Sequence, residues 1–265
     1  MATMFQTAPI EASSQSELTR QMAARLHTAL TTHLQQAYAP DQRKNLRLFS
    51  ATETAELLGV TGQFLRKCHS EGTLPEPEVI RNGRRFYSGK EMLQIRHLLE
   101  ASSRTSGKYV PGRRDGDKLQ VIQLMNFKGG SAKSTSAIHL CHFLALHGYR
   151  VLAIDLDPHG SLTGFCGIQT ELEFDGASIY DALRYEDPVP MSDAIVETYF
   201  PGLHLAPAQL VLSEFETETA INAGKGVAFF EKLNHAIQSV ESNYDVVIID
   251  SPPALGFLTL TGLYA

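Results

Sequence analysis

The residues best suited to chemistry lie in segment 124–135, which reads Leu-Met-Asn-Phe-Lys-Gly-Gly-Ser-Ala-Lys-Ser-Thr. An apolar run passes into a glycine-containing turn, and a helical pattern then opens with Lys133 and Ser134. Such a turn directs successive backbone N–H groups inward, and the helix N-terminus adds the positive end of its dipole. The Lys133 ammonium can reach β- and γ-phosphates, and the Ser134 hydroxyl can ligate Mg²⁺. This segment therefore predicts a phosphate-binding loop.

The loop departs from the ordinary P-loop expression G-x-x-x-x-G-K-[ST] at both glycine positions. Phe127 and Ala132 occupy them. A strand-to-helix turn that carries two lysines without any ligand has a similar sequence. Taken alone, the segment leaves that alternative open, and the decision depends on what lies at the ends of the neighbouring strands.

Two later segments place carboxylates where apolar strands end. The first, 151–161, carries Asp155 and Asp157, and the second, 245–253, carries Asp250. In an open parallel sheet, ligands bind outside the carboxyl ends of the strands, so the loop and the carboxylates should share one edge. A single aspartate at a strand end is more often a helix cap or a turn former. The ordered trio around a phosphate loop instead indicates a metal site.

Three motifs together resemble those of the deviant Walker A ATPases of the ParA/MinD group. They are Lys128-Gly-Gly-x-x-Lys-Ser, Asp155-Leu-Asp-Pro and Ile249-Asp-Ser-Pro-Pro-Ala-Leu-Gly. The resemblance covers roughly residues 119–265. It implies an α/β fold, a parallel-sheet P-loop NTPase domain that uses ATP or ADP with Mg²⁺.

Residue roles also follow from this resemblance. Lys128 would cross a nucleotide-bridged dimer to the partner's phosphates, and Asp157 would orient the attacking water, so Lys128, Lys133 and Asp157 are the catalytic candidates. Ser134, Asp155 and Asp250 would hold Mg²⁺ and its waters. The nucleotide contacts are expected from Lys128, Gly129, Gly130, Ser131, Ala132, Lys133, Ser134 and Thr135.

Three features depart from the family pattern. Ala132 replaces the usual glycine before the lysine, and its Cβ would crowd the phosphate turn. His159 stands where glutamine is common; we treat it as tolerated and assign it no catalytic role. Family ATPase domains continue well beyond the third motif, whereas this chain stops at Ala265. We therefore expect an incomplete ATPase domain with an unpaired sheet edge.

A second candidate site precedes the ATPase motifs. Segment 52–71 fits a helix-turn-helix, with a small residue at Ala55 and a turn at Gly59. Asn82-Gly83 predicts a tight hairpin inside 79–87. The block is similar to a MerR-type winged helix, although a helical cap with solvated charges stays open as an alternative. Side chains expected to contact DNA bases or phosphates are Thr61, Gln63, Arg66 and Lys67 on the second helix, and Arg81, Arg84 and Arg85 on the hairpin.

Charge is distributed unevenly along the chain. The net charge is −6, but residues 41–118 hold 15 basic and 10 acidic residues, whereas residues 119–265 hold 6 and 17. Only the first of these segments suits a polyanionic partner. Three scattered cysteines argue against a disulfide scaffold. The lack of an apolar run of about 18 residues argues against a membrane span, and a cytoplasmic location is expected.

Four regions follow from the patterns. Residues 1–40 contain a helix at 13–38 that Pro40 ends, and its apolar stripe either docks on its own module or pairs with a second copy. Residues 41–104 form the DNA-binding module, and the polar, glycine-rich segment 105–118 is a linker. Residues 119–265 form the ATPase domain, where apolar strands alternate with helical patterns at 134–147 and roughly 215–240.

The resemblance to long plasmid-encoded ParA proteins, and to their RepABC-type RepA branch, implies a plasmid-partition ATPase. Such a protein dimerises, binds operator and non-specific double-stranded DNA, represses its own operon and responds to a ParB-type centromere-binding partner. It acts at the nucleoid or plasmid and needs no membrane. One alternative is a repressor that keeps nucleotide as a structural ligand. Another, a membrane-cycling ATPase of the MinD kind, needs a C-terminal amphipathic helix.

Overall fold

A computed structural model describes residues 14–37, 44–170, 174–226 and 228–265. The chain divides into two compact units, Met1–Arg43 and Lys44–Ala265. The described residues of the first unit include helix α1 (Gln15–Ala37), close to the predicted 13–38. Leu18, Met22, Leu26 and Leu30 follow one another at four-residue intervals and are exposed. Pro40, the predicted helix end, lies outside the described residues.

The second unit opens with short helices and a small antiparallel sheet. Serine caps begin two of the helices: Ser50 caps α2 and Ser88 caps α4, each in a reciprocal capping box with the glutamate three residues later. Gly59 adopts φ +68° and ends α2, so the chain turns into α3 after three residues. The elements are β1 (Phe49–Ser50), α2 (Ala51–Leu58), α3 (Gly62–Ser70), β2 (Val79–Arg81), β3 (Arg84–Tyr87) and α4 (Gly89–Ala101).

The predicted hairpin forms, and it gains a strand that the sequence did not suggest. Asn82 and Gly83 both have positive φ, at 51° and 73°, as a type I′ turn between β2 and β3 requires. The two-residue strand β1 then pairs with the other side of β3. Leu65, Tyr87 and Ile95 are fully buried beneath this sheet, and their packing fixes the position of α3.

The larger sheet has the order β4-β8-β5-β7-β6. Three of its four strand pairings are parallel, and the fourth, between the short β6 and β7, is antiparallel. In this register Asp250 of β8 lies opposite both Leu124 of β4 and Asp155 of β5. The prediction that the three motifs share one sheet edge is therefore confirmed. The strands are β4 (Gln120–Leu124), β5 (Val151–Asp155), β6 (Val196–Glu197), β7 (Leu203–Ala206) and β8 (Val246–Asp250).

Helices cover both faces of this sheet, as near-continuous apolar strands require. Leu152, Ile154 and Val247 face one core, and Ala153 and Ile248 face the other. The helices are α5 (Lys133–Leu146), α6 (Ser161–Phe165), α7 (Ile179–Leu183), α8 (Glu214–Ala223), α9 (Glu231–Val240) and α10 (Phe257–Tyr264).

One helical prediction was wrong. The pattern at roughly 215–240 is two helices, α8 and α9, rather than one. The chain leaves the helical path after Ala223, and Gly226 takes φ +80°. Glycine adopts that conformation without steric cost, and this left-handed residue separates the two helices where the apolar periodicity alone suggests continuation.

Segment 105–118, predicted as a linker, is held by side chains at both ends. The Glu100 carboxylate accepts hydrogen bonds from the backbone N–H groups of Gly107, Tyr109 and Val110. At the other end, the Asp245 carboxylate accepts from Arg113 N at 2.9 Å and pairs with the Arg150 guanidinium at 2.7 Å. Residues 44–265 consequently form one unit.

Arg96 of α4 joins three segments of this unit. Its side chain is buried, and its guanidinium donates hydrogen bonds to the carbonyl oxygens of Leu57, Tyr109 and Leu146. Leu57 is in the last turn of α2, and Leu146 ends α5, so the cation also meets the negative ends of two helices. Burial lowers the pKa of Arg96. The carbonyl contacts offset that cost of desolvation.

Replacement of Arg96 by Met should destabilise the second unit by about 2–4 kcal/mol, because three buried carbonyl groups lose their donors. Chemical denaturation with urea, followed by circular dichroism, measures this change. Arg104→Met, which removes an exposed arginine from the same region, is the matched control and should change stability by less than about 0.5 kcal/mol. Equal stability of the two variants would contradict the role assigned to the Arg96 contacts.

Candidate functional site

The loop between β4 and α5 directs the uncapped N-terminus of α5 toward the sheet edge. Gly130 has φ +73° and Ala132 has φ +61°, so both positions lie in the left-handed region. Ala132 is the N-cap of α5 and supplies no side-chain hydrogen bond. The N–H groups of the first helical turn, which have no partner within the helix, therefore remain available at its positive end.

Other atoms of the loop are also suited to phosphate binding. The Ser131 hydroxyl is buried and has no hydrogen-bond partner within the described ranges, which is costly unless a ligand supplies one. Lys128 lies on the exposed part of the loop, and its backbone N–H donates to the Asn126 side chain at 2.9 Å. Lys133 and Ser134 are half-buried at the start of α5, where Thr135 is exposed. Ala132 adopts the conformation usually taken by glycine, at an expected cost of about 1 kcal/mol.

Asp250 lies beside this loop, close to Lys133 and Ser134. Its side chain is fully buried, and neither carboxylate oxygen has a hydrogen-bond partner among the described residues. Burial raises the pKa of Asp250 to about 6, and the nearby Asp157 carboxylate adds to that effect. The Ser134 hydroxyl and the Lys133 ammonium act in the opposite direction. An orphaned carboxylate next to a serine hydroxyl is a donor set that suits Mg²⁺.

Asp155 is buried in a different environment. Its Oδ2 accepts hydrogen bonds from Thr163 N at 2.8 Å and Thr163 Oγ1 at 2.7 Å, and its Oδ1 accepts from Asp157 N at 3.1 Å. Burial raises its pKa to about 7, although the Thr163 contacts oppose the shift. These bonds tie β5 to α6 and fix the chain that carries Asp157. The metal role of Asp155 stays a prediction.

Asp157 follows β5 with only a small part of its side chain exposed. Its Oδ1 accepts from the backbone N–H of His159 at 3.0 Å and faces the Nδ1 atom of the His159 ring at 2.8 Å. Asp157 and Asp250 are close enough to interact electrostatically. Within the described ranges, no group of three or more His, Cys, Asp or Glu side chains is arranged to hold a metal ion unaided. Mg²⁺ commonly uses one or two carboxylates, with waters and phosphate oxygens as its other ligands.

The candidate DNA-contacting residues lie on α3 and the hairpin. Thr61 caps α3 through a hydrogen bond from Phe64 N at 3.1 Å, and Gln63 and Arg66 are exposed. Lys67 is also exposed, although Glu71 lies 3.6 Å from its ammonium. Leu65 and Cys68 are buried on the opposite face of the helix, so α3 presents one polar face outward.

Arg85 differs from the other two hairpin arginines. Its guanidinium makes a bidentate contact with the Glu76 carboxylate, at 2.7 and 2.8 Å. This ion pair compensates the charge of Arg85 and raises its pKa. Arg81 and Arg84 are exposed. The cationic surface of the hairpin therefore rests on those two residues, and the contribution predicted for Arg85 is reduced by an acidic partner nine positions earlier.

Sequence reasoning missed three residues that organise these sites. Thr163 engages both Asp155 and the backbone N–H of Ala208, and Gln123 donates to the Ser251 hydroxyl and to Thr259 O. Glu76 neutralises Arg85. None of them stands in a motif, and their partners are distant in sequence or unremarkable in composition. No signal in a single sequence identifies them.

Comparison with known proteins identifies the family of the segment that carries these motifs. A family model described as an AAA domain matches residues 119–265. A putative replication protein A from Sinorhizobium fredii is 46% identical over 237 residues, which is 87% of this chain and 58% of that protein. The chromosome partitioning protein ParA of Caulobacter vibrioides is 39% identical over 56% of this chain and 53% of its own length.

The chain belongs to the ParA/MinD-type family of P-loop ATPases. Among solved structures, a cobyrinic acid a,c-diamide synthase from Mycobacterium smegmatis, with bound ATP analog and magnesium, is similar to this family member. The TM-score is 0.50 and the identity 36%, over 55% of this chain and 56% of that one. This family member spans 58% of the length of its Sinorhizobium relative. In the part of the chain that the structure describes, no helix is both long and apolar enough to cross a membrane.

Asp250→Asn provides a test of the metal site. In the presence of ATP, the thermal stabilisation that Mg²⁺ adds to the wild type should be lost, since the amide cannot balance a divalent cation. Without ligand, the melting temperature should stay unchanged or rise, because the substitution removes the cost of burying a charged carboxylate that lacks a hydrogen bond. Differential scanning fluorimetry with ATP, with and without Mg²⁺, measures both effects.

Asp115→Asn is the matched control, because it removes an exposed carboxylate from the segment before β4. It should leave the Mg²⁺ increment intact. If Asp250→Asn retained the full increment, Asp250 would not be the residue that holds the cation.

Proposed function

We propose that this chain is an ATP-dependent DNA-partition protein that also binds operator DNA and represses its own operon. The observation that carries the proposal is the pairing of an uncapped helix N-terminus in the loop with the orphaned Asp250 carboxylate at the same sheet edge. The helix N-terminus favours an anion and the buried carboxylate favours a cation, and a nucleotide with Mg²⁺ supplies both.

Different residues of the loop would contact different parts of the nucleotide. The N–H groups of 128–135 would surround the phosphates, and the Lys133 ammonium would balance β- and γ-phosphate charge. Ser134 and Asp250 would hold Mg²⁺, with Asp155 behind them in the metal site. When bound, Mg²⁺ neutralises charge on the phosphate oxygens. Asp157 would orient the attacking water, and Lys128 would supply further positive charge in a nucleotide-bridged homodimer.

Residues 44–101 are proposed to act as a winged-helix DNA-binding module. Support comes from the outward polar face of α3, with Gln63 and Arg66, and from exposed Arg81 and Arg84 on the neighbouring hairpin. A helix of this kind enters the major groove of double-stranded DNA, while hairpin arginines contact phosphates. Homodimerisation would double the contact area. A ParB-type partner would stimulate hydrolysis, with the protein acting at the nucleoid or plasmid in the cytoplasm.

One observation favours a second candidate, a repressor that holds nucleotide structurally without hydrolysing it. Ala132 occupies a left-handed position in the phosphate loop, and a loop strained at that position holds a γ-phosphate less well than one with glycine there. Both candidates bind nucleotide at the same place. They differ in whether Asp157 has a reaction to assist.

Single-turnover hydrolysis of ATP separates the two candidates. Asp157→Ala should lower the rate by about 10-fold or more while ATP affinity is retained. Lys133→Ala should instead weaken ATP binding itself, because it removes charge from the phosphate site. Radiolabelled ATP, with filter binding for affinity, provides both readouts. Equal hydrolysis rates for wild type and Asp157→Ala would support the structural-nucleotide repressor.

DNA binding is tested by its salt dependence. Arg84→Ala should lower affinity for duplex DNA and reduce the slope of log K against log [salt] by about 1, the change expected when one phosphate contact is lost. Lys225→Ala, which removes an exposed lysine after α8, is the control and should leave the slope unchanged. Arg85→Ala should change the slope less than Arg84→Ala does. Identical slopes for wild type and Arg84→Ala would contradict the hairpin contact.

A further inference from the structure

The carboxylate of Asp157 is held on one side only. Its Oδ1 receives the backbone N–H of His159 at 3.0 Å and contacts the His159 ring nitrogen Nδ1 at 2.8 Å. Its Oδ2 accepts no hydrogen bond from the residues that the structure describes. The Asp157 side chain is 12% exposed, whereas the His159 side chain is 80% exposed. One oxygen is thus occupied, and the other keeps its acceptor capacity.

The partner atoms determine where the proton on the ring resides. An ionised carboxylate only accepts hydrogen bonds, so Nδ1 of His159 must carry the hydrogen in this contact. In the neutral ring, Nε2 is then the acceptor. The ring therefore acts on Asp157 as a donor, in addition to the backbone N–H of the same residue.

We infer that His159 is a positioning residue for ATP hydrolysis: it anchors Oδ1 of Asp157 so that Oδ2 is presented to the reacting water. This inference rests on the proposed function, in which Asp157 orients that water. The terminal torsion of an aspartate is broad and roughly two-fold, so a carboxylate without such anchors samples several orientations. Two donors on one oxygen restrict that sampling, and orientation of a reacting group contributes directly to rate.

The backbone contact alone is a common local turn, in which an aspartate accepts from the N–H two residues later. That turn persists when the ring is removed. The His159 ring adds a second donor to the one that the turn supplies. Substitution of the His159 side chain should therefore change the hydrolysis rate, which a purely structural turn would not predict.

The experiment measures single-turnover ATP hydrolysis and ATP affinity for the 265-residue chain and its variants. His159→Ala should lower the rate roughly fivefold with unchanged ATP affinity, the size expected for the loss of one hydrogen bond to a charged group near solvent. His159→Asn should restore most of the rate, since its amide nitrogen can occupy the position of Nδ1. His235→Ala, which removes an exposed histidine from α9, is the control and should match the wild type.

A double-mutant cycle identifies the residue through which His159 acts. In the Asp157→Ala background, adding His159→Ala should produce no further loss, because the carboxylate that the ring positions is absent. Nitrogen-15 spectra of the histidine rings, assigned by comparison with His159→Asn, should show His159 protonated at Nδ1.

Three results would overturn the inference alone. The first is an equal hydrolysis rate for wild type and His159→Ala. The second is an equal fold-loss of rate from His159→Ala in the Asp157 and the Asp157→Ala backgrounds, and the third is a neutral His159 ring that carries its proton on Nε2 instead of Nδ1. A wild-type chain that binds ATP with Mg²⁺ and hydrolyses none would overturn the proposed function, and the inference with it. Binding and hydrolysis are measured separately, so the two failures are distinguishable.

Discussion

Parallel pairing of β8 with both β4 and β5 decides where the charged groups of this protein meet. Asp250 lies opposite Leu124 and Asp155 in the two pairings, so the phosphate loop and the carboxylates emerge at one edge. A register shift of one residue in β8 would turn Asp250 to the other face of the sheet. The apolar side chains of Val247, Ile248 and Ile249, all fully buried, make such a shift costly.

The carboxylates at this edge have different environments, and the difference suggests different tasks. Asp155 has its oxygens engaged by Thr163 and by the backbone of Asp157, whereas Asp250 has no partner among the described residues. The first arrangement organises the chain around β5. The second keeps a buried carboxylate without a hydrogen bond, which a folded protein tolerates where a ligand supplies the missing interaction.

The junction between the helical module (residues 41–104) and the ATPase domain (residues 119–265) also depends on contacts between residues that are distant in sequence. The polar segment 105–118 has the composition of a linker, yet the carboxylates of Glu100 and Asp245 accept hydrogen bonds from its backbone. Arg96 of α4 also connects this helix to α2 and α5. Since α5 begins at the phosphate loop and ends at the Arg96 contact, the nucleotide site and the helical module share one continuous element. The carbonyl groups that receive Arg96 belong to residues 57, 109 and 146, and composition gives no indication that they meet.

By itself the sequence determined most of the regular elements and the family. Periodicity located the four parallel strands, Asn82-Gly83 predicted the hairpin, and the motifs at 128–135, 155–157 and 250 predicted the ATPase family, because these signals are local in the chain. Tertiary structure alone decided which groups are partnered: that Glu76 neutralises Arg85, that Thr163 engages Asp155, and that the Asp250 carboxylate accepts no hydrogen bond from the part of the chain that the structure describes. Hydrogen bonds and ion pairs depend on distances across the fold, and those distances follow from packing rather than from residue type.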